Sequence, residues 1–135
     1  MLKKIKAIIL DLDGTVYHGA RVIKGVPQAI ETLRKRGMRI FFLSNASMRT
    51  RKEQAAKLRR MGIACDIEEM YNAAYATASY IKHHYPRAKV HVISQGGLQK
   101  EIKMAGIKIT DGKNADVVAS GLDPKINFEK LTEAF

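Results

Sequence analysis

The chain has 135 residues, 46% of them hydrophobic, which suits one ordinary domain or parts of two and excludes a disordered tail. Cys65 is the only cysteine, so no intrachain disulfide framework exists, and no apolar run reaches signal-peptide or membrane-spanning length; the expected setting is the cytoplasm, with no membrane partner. The net charge of +11 is carried by residues 1–65, which hold 15 Lys/Arg against 4 Asp/Glu, while residues 66–135 hold 9 of each; such a field attracts anions, but helix-face spacing and the lack of Trp or interleaved aromatics argue against a nucleic-acid partner.

Ile5 to Leu10 is a short, nearly continuous apolar run and reads as a strand buried on both faces of a parallel sheet. Residues 26–36 read as a helix: Pro27 suits its first turn, Val26, Ala29, Ile30 and Leu33 form a stripe, and Gly37 stops it. Arg39 to Leu43 is a second buried strand, ending in Ser-Asn-Ala-Ser. The next helix opens on the capping box Thr50-x-x-Glu53, carries Ala55, Leu58 and Met61 on one side and stops at Gly62. Strand–helix–strand–helix order implies right-handed crossovers and a doubly wound parallel sheet, in which ligands bind at the carboxyl ends of strands. Asp11/Asp13 and Ser44/Asn45 fall at those ends.

Beyond the charge shift at 66–72 the texture changes. Residues 71–85 read as a helix, Val90 to Ser94 as a strand and 97–105 as a helix. Ile107 to Thr110 and Asp116 to Ala119 follow as short strands, and 128–135 as a last helix. No internal repeat or low-complexity segment interrupts them.

The chemistry lies in "AIILDLDGTVYHG", residues 7–19. On a strand, residues 11 and 13 point to one face, roughly 7 Å apart, and a turn at the strand end brings them closer. Two carboxylates that close repel unless a cation lies between them. Few, hard oxygens suit Mg²⁺, which keeps several waters and binds through one or two carboxylates plus phosphate. One Asp can then attack phosphorus while the other protonates the leaving group. Gly14 lets the backbone approach an anion closely. The alternative is an exposed acidic turn, but average residue usage makes a chance Asp-x-Asp-Gly-Thr in such a chain roughly a one-in-a-thousand event.

"DLDGTVYHG", followed about thirty residues later by "FFLSNAS", resembles the haloacid dehalogenase superfamily of phosphohydrolases. The tail "ITDGKNADVVASGLDPKINFEKLTEAF" is similar to its NagD-like, 4-nitrophenylphosphatase-like branch. The resemblance implies an α/β fold: a partial Rossmann-like core over 1–70 and an incomplete α/β cap over 71–135. It implies a Mg²⁺-dependent phosphoric monoester hydrolase acting on a small-molecule phosphate ester through an aspartyl-phosphate. Asp11 would be the nucleophile and Asp13 the general acid/base. The Asp11 carboxylate and the Asp13 backbone carbonyl would hold Mg²⁺. Ser44, with the backbone of Asn45 and Ala46, would hydrogen-bond the phosphoryl oxygens. Two further motifs of that family, a lysine and a Gly-Asp-x-x-x-x-Asp loop, do not occur after residue 70. The chain therefore resembles the first half of such an enzyme, expected to be weak or inactive alone and to self-associate through an unpaired sheet edge. The competing reading is a non-catalytic interaction module, or a half-enzyme completed by another chain.

Weaker signals carry bland readings. His83-His84 reads as an exposed helix end, "SQGGL" at 94–98 as a strand-to-helix turn, and Tyr71 and Tyr75 as packing residues. His18 has pocket and surface readings of equal weight.

Overall fold

The structure, a computed structural model, describes residues 5–135 and divides into two units. One runs up to Ser44 and resumes over Lys52–Tyr71; the other comprises Asn45–Arg51 and Asn72–Phe135.

The first unit begins with β1 (Ala7–Asp11), a short hairpin of β2 (Tyr17–His18) and β3 (Arg21–Val22), and helix α1 (Val26–Lys35). Strand β4 (Arg39–Ser44), helix α2 (Arg51–Arg60) and strand β5 (Met70–Asn72) follow. The sheet order is β1-β4-β5, and β1 pairs with β4 in parallel, Ala7 against Arg39 through Asp11 against Leu43. Both crossovers step in the same direction along the sheet, so right-handed connections put α1 and α2 on one face. The core is built accordingly: Ile8, Leu10, Ile40, Phe42 and Met70 of the sheet pack with Ile30, Leu33, Ala55 and Leu58 of the helices.

The other face corrects the sequence expectation. β1 alternates rather than being buried on both sides, and Ile9 is 67% exposed, with Leu43 at 53% on the same side. The cause is coverage rather than composition. The first unit's two helices pack on one side of this sheet, and among the described residues β1 has a strand neighbour on one side only. Phe41 on that open face meets Tyr71 edge-on, ring centroids 6.4 Å apart.

Away from the sheet end, Arg34 of α1 donates to the Ala64 carbonyl at 2.8 Å and to Glu69 Oε2 at 2.7 Å, tying α1 to the segment that enters β5. Cys65 is buried there; loss of hydration, and then the charge of Glu69, push its thiol up to about 12. A thiol held neutral in this way is a packing group rather than a nucleophile.

The second unit holds α3 (Ala73–His84), β6 (Lys89–Ile93), α4 (Gly97–Met104), β7 (Lys108–Ile109), β8 (Val117–Ser120) and α5 (Phe128–Ala134). Its parallel sheet has the order β7-β6-β8. Ala74, Ala78, Ile81, Val90, Leu98, Ile102 and Ala119 make its core. Asn72 caps α3, its side-chain oxygen accepting from the Tyr75 amide at 2.9 Å. The segment Asn45–Arg51 is threaded into this unit, its Ser47 and Met48 carbonyls accepting from the Leu98 and Gly97 amides at 2.8 and 2.9 Å. Gly97 is required by that approach, since a Cβ there would lie 2.2 Å from the Arg49 carbonyl carbon.

An ion pair ties helix α5 to the loop that precedes it. Lys130 Nζ lies 2.6 Å from Asp123 Oδ2, and the Asp123 side chain is only 3% exposed. The Lys130 hydrogen bond, followed by the Lys125 amide, holds the Asp123 carboxyl below its ordinary value. A carboxyl depressed on folding contributes stability that is present above its unfolded value, about 3.9, and is lost as pH falls through the lower, folded one. Acidification through this range is therefore expected to loosen the tie between α5 and the loop before it. NMR shifts of Leu131 should report that step, and Asp123→Asn should already show the loosened shifts at neutral pH. A Leu131 signal indifferent to both would disprove the tie. Among the described residues, no helix is long and apolar enough to cross a membrane.

Candidate active site

β1 delivers Asp11 to the carboxyl edge of the first unit's sheet, and the chain then turns on Leu12. Leu12 is fully buried, and its carbonyl accepts from the amides of Thr15, Val16 and Tyr17 at 3.3, 2.8 and 3.1 Å. The anchor has a direct consequence: the aspartates flanking Leu12 are both exposed. Gly14 follows at φ +90°, a conformation that disfavours any side chain, and its N–H is donated to the Tyr17 carbonyl at 2.8 Å. Its part is the shape of the turn, because its donor is already used.

Sequence reasoning missed the β2–β3 hairpin, which braces this turn. Residue 13 bridges to Tyr17, and the Gly19 N–H at the hairpin tip lies 3.4 Å from Asp13 Oδ1. Tyr17 is buried; Gln54 Nε2 donates to its hydroxyl at 2.6 Å, and Lys57 Nζ sits 3.5 Å from its ring centroid. The hairpin is thus pinned to α2 from below while its tip reaches Asp13. Gly19-Ala20 between Tyr17-His18 and Arg21-Val22 is the signal that could have exposed it.

Ser44 ends β4 one residue past Leu43, the register partner of Asp11, so it reaches the same sheet edge. By strand alternation it belongs to the helix-covered face with Phe42, and it is buried. Asn45 and Ala46 begin the segment assigned to the second unit. Asp11, Asp13, Gly14 and Ser44 are therefore brought to one strand-end edge, the position at which open α/β sheets bind ligands.

The donor set at that edge is two exposed carboxylates and backbone carbonyls. Among the described residues, no group of three or more His, Cys, Asp or Glu could hold a metal. A site of that composition does not suit zinc or calcium, which take fuller protein ligand sets, but it fits Mg²⁺, which retains waters and needs only one or two carboxylates.

The remaining sequence signals take structural places. Tyr75 lies under the Arg51 guanidinium, 3.9 Å from its ring centroid to Arg51 Cζ. His84 stacks on Tyr80 with centroids 4.3 Å apart at the end of α3. The glycines of "SQGGL" turn the chain from β6 into α4, with the Gly97 amide committed to Met48.

The family described as haloacid dehalogenase-like hydrolase matches residues 8–108 of the chain. The acid sugar phosphatase of Staphylococcus aureus is 37% identical over 133 residues, which are 98% of this chain and 51% of that protein. Among solved structures, p-nitrophenyl phosphatase from Archaeoglobus fulgidus superposes with a TM-score of 0.92 at 35% identity, covering 96% of this chain and 50% of the other. The 4-nitrophenylphosphatase from Thermotoga maritima gives 0.89 at 28% identity, covering 98% and 51%. The chain spans about half the length of the curated relatives it matches.

Proposed function

Because the chain belongs to the haloacid dehalogenase-like hydrolase family, we propose that Asp11 and Asp13 form the nucleophile and acid/base of a Mg²⁺-dependent phosphatase for small phosphate esters. The observation that carries this reading is the pair of exposed aspartates flanking fully buried Leu12 at the sheet's carboxyl edge. In this reading residues 1–70 are the first part of the hydrolase core, and residues 71–135 belong to an α/β cap.

The Asp11 carboxylate attacks phosphorus, and the P–O bond to the leaving group breaks. Protonated Asp13 gives its proton to the departing oxygen. Asp13, now a carboxylate, takes a proton from water as that water attacks the aspartyl-phosphate. Inorganic phosphate leaves and Asp11 is restored. The Asp11 carboxylate and the Asp13 carbonyl would hold Mg²⁺, which supplies neutralisation of the phosphoryl charge when bound. Ser44 and the backbone of Asn45 and Ala46 hydrogen-bond the phosphoryl oxygens. The Gly19 N–H steadies Asp13 Oδ1, which favours one carboxyl orientation for both proton transfers.

Removing one donor that stabilises the developing phosphoryl charge costs about 10² to 10³ in turnover, so Ser44→Ala is expected to slow hydrolysis of 4-nitrophenyl phosphate by about that factor. The direct test is phosphoryl capture: with Mg²⁺ and acetyl phosphate, the peptide bearing Asp11 should gain one phosphoryl group. Asp11→Asn should lose it, and Asp13→Asn should retain it longer. Fast Mg²⁺-dependent turnover that survives Asp11→Asn would sink the assignment.

A half-enzyme completed by another chain is a second reading, favoured by the uncovered apolar face around Ile9 and Leu43.

A further inference from the structure

The hairpin that braces Asp13 also carries two side chains that the proposed chemistry does not use. Its register pairs Tyr17 with Val22 and His18 with Arg21. Tyr17 and Val22 pack into the first unit's core, so strand alternation sends His18 and Arg21 to the opposite face, and both are exposed. Directly opposed residues on one face have Cβ atoms about 5 Å apart, close enough to grip one anion together. The pair is tied to the turn of the aspartates: Gly19, the residue after His18, donates to Asp13 Oδ1. His18 itself overhangs Gly14, where an added Cβ would meet its ring Cε1 at 4.0 Å. Among the described residues, neither His18 nor Arg21 is engaged with a carboxylate.

We propose that His18 and Arg21 form a specificity element that selects phosphate esters whose leaving group carries a second anionic group. The inference rests on the proposed assignment of Asp11 and Asp13. In that assignment Asp13 protonates the leaving oxygen, so whatever surrounds Asp13 surrounds the leaving group rather than the phosphoryl group. A guanidinium offers a planar fork matched to a carboxylate, and an imidazole N–H adds a donor in either tautomer. A neutral leaving group leaves both side chains solvated and gains nothing from them.

A matched pair of esters isolates this effect. 3-Phosphoglycerate and glycerol 3-phosphate share a skeleton and differ in a carboxylate against a hydroxymethyl group. Titrated calorimetrically into the full chain with Mg²⁺ at physiological salt, 3-phosphoglycerate should bind about tenfold more tightly, the size of one charge-assisted hydrogen-bonded contact. Arg21→Gln should bring the ratio of the two dissociation constants near unity and leave glycerol 3-phosphate unchanged. His18→Ala should lower the ratio in part. Lys24→Gln, which removes a nearby exposed cation, should preserve the ratio. Equal binding of the two esters by the unaltered chain overturns the inference, as does an equal loss of preference in Lys24→Gln, which would make it a general field effect. In both cases inorganic phosphate would still bind with a heat that Ser44→Ala weakens, so the assignment of the site would survive. If neither ester nor inorganic phosphate binds, the assignment fails and the specificity element fails with it.

Discussion

Ile9→Lys is expected to convert this chain from a self-associating species into a monomer at tens of micromolar, as read by sedimentation velocity. The expectation follows from the open side of the first unit's sheet. Ile9 and Leu43 stand there on neighbouring strands, 67% and 53% exposed, with Phe41 and Tyr71 continuing the surface. Burying one large apolar side chain is worth about 1.5–3 kcal/mol. Two copies meeting on this face bury several, enough to offset much of the cost of association. The outer edge of β1 adds backbone donors and acceptors with no strand beside them among the described residues. The chain's net charge of +11 works against this, so association should strengthen as salt screens the repulsion. An association held by ion pairs would weaken instead. A clean monomer at these concentrations with Ile9 in place would refute the exposed-face argument, whatever the variant does.

What the sequence made legible, and what it hid, divides along the range of the interactions involved. α1 and α2 were readable because their stripes, their opening residues and the glycines behind them are local signals. The parallel strands were readable as apolar runs. The burial of β1 was not. Ala-Ile-Ile-Leu specifies a strand, but whether Ile9 is covered depends on elements distant in the chain. Strand β5 was absorbed into an overlong helix reading of 71–85, although Asn72, whose side chain caps the Tyr75 amide, marks the true start at Ala73. The β2–β3 hairpin has two residues per strand, too few for any periodicity to register. At the candidate site the same division holds. Asp11, Asp13 and Gly14 stand in one motif and could be singled out from the five adjacent letters of Asp-x-Asp-Gly-Thr. The contacts that brace them, Gly19 to Asp13 and Gln54 to Tyr17, join residues 6 and 37 positions apart, and only the fold brings them together.

The one-sided sheet has a sharp signature in stability. Phe42→Ala is expected to cost about 3–5 kcal/mol, because Phe42 is wholly buried on the helix-covered face and its removal leaves a cavity among Ile40, Leu58 and their neighbours. Against a total of about 5–15 kcal/mol for a typical domain, that loss removes a large share of the first unit's stability. The damage should reach the site, since Phe42 lies two residues before Ser44 and its strand sets the register of Asp11. Ile9→Ala removes an apolar side chain of similar character from the opposite face of the neighbouring strand, and at sub-micromolar concentration it should cost no more than about 0.5 kcal/mol. Urea melts followed by circular dichroism give both values. At higher concentration the Ile9→Ala penalty should grow, because self-association stabilises the folded chain by mass action and the variant weakens that association. A large Ile9→Ala penalty that does not change on dilution would mean that the face is covered within a single chain, and would remove the basis for expecting any partner there.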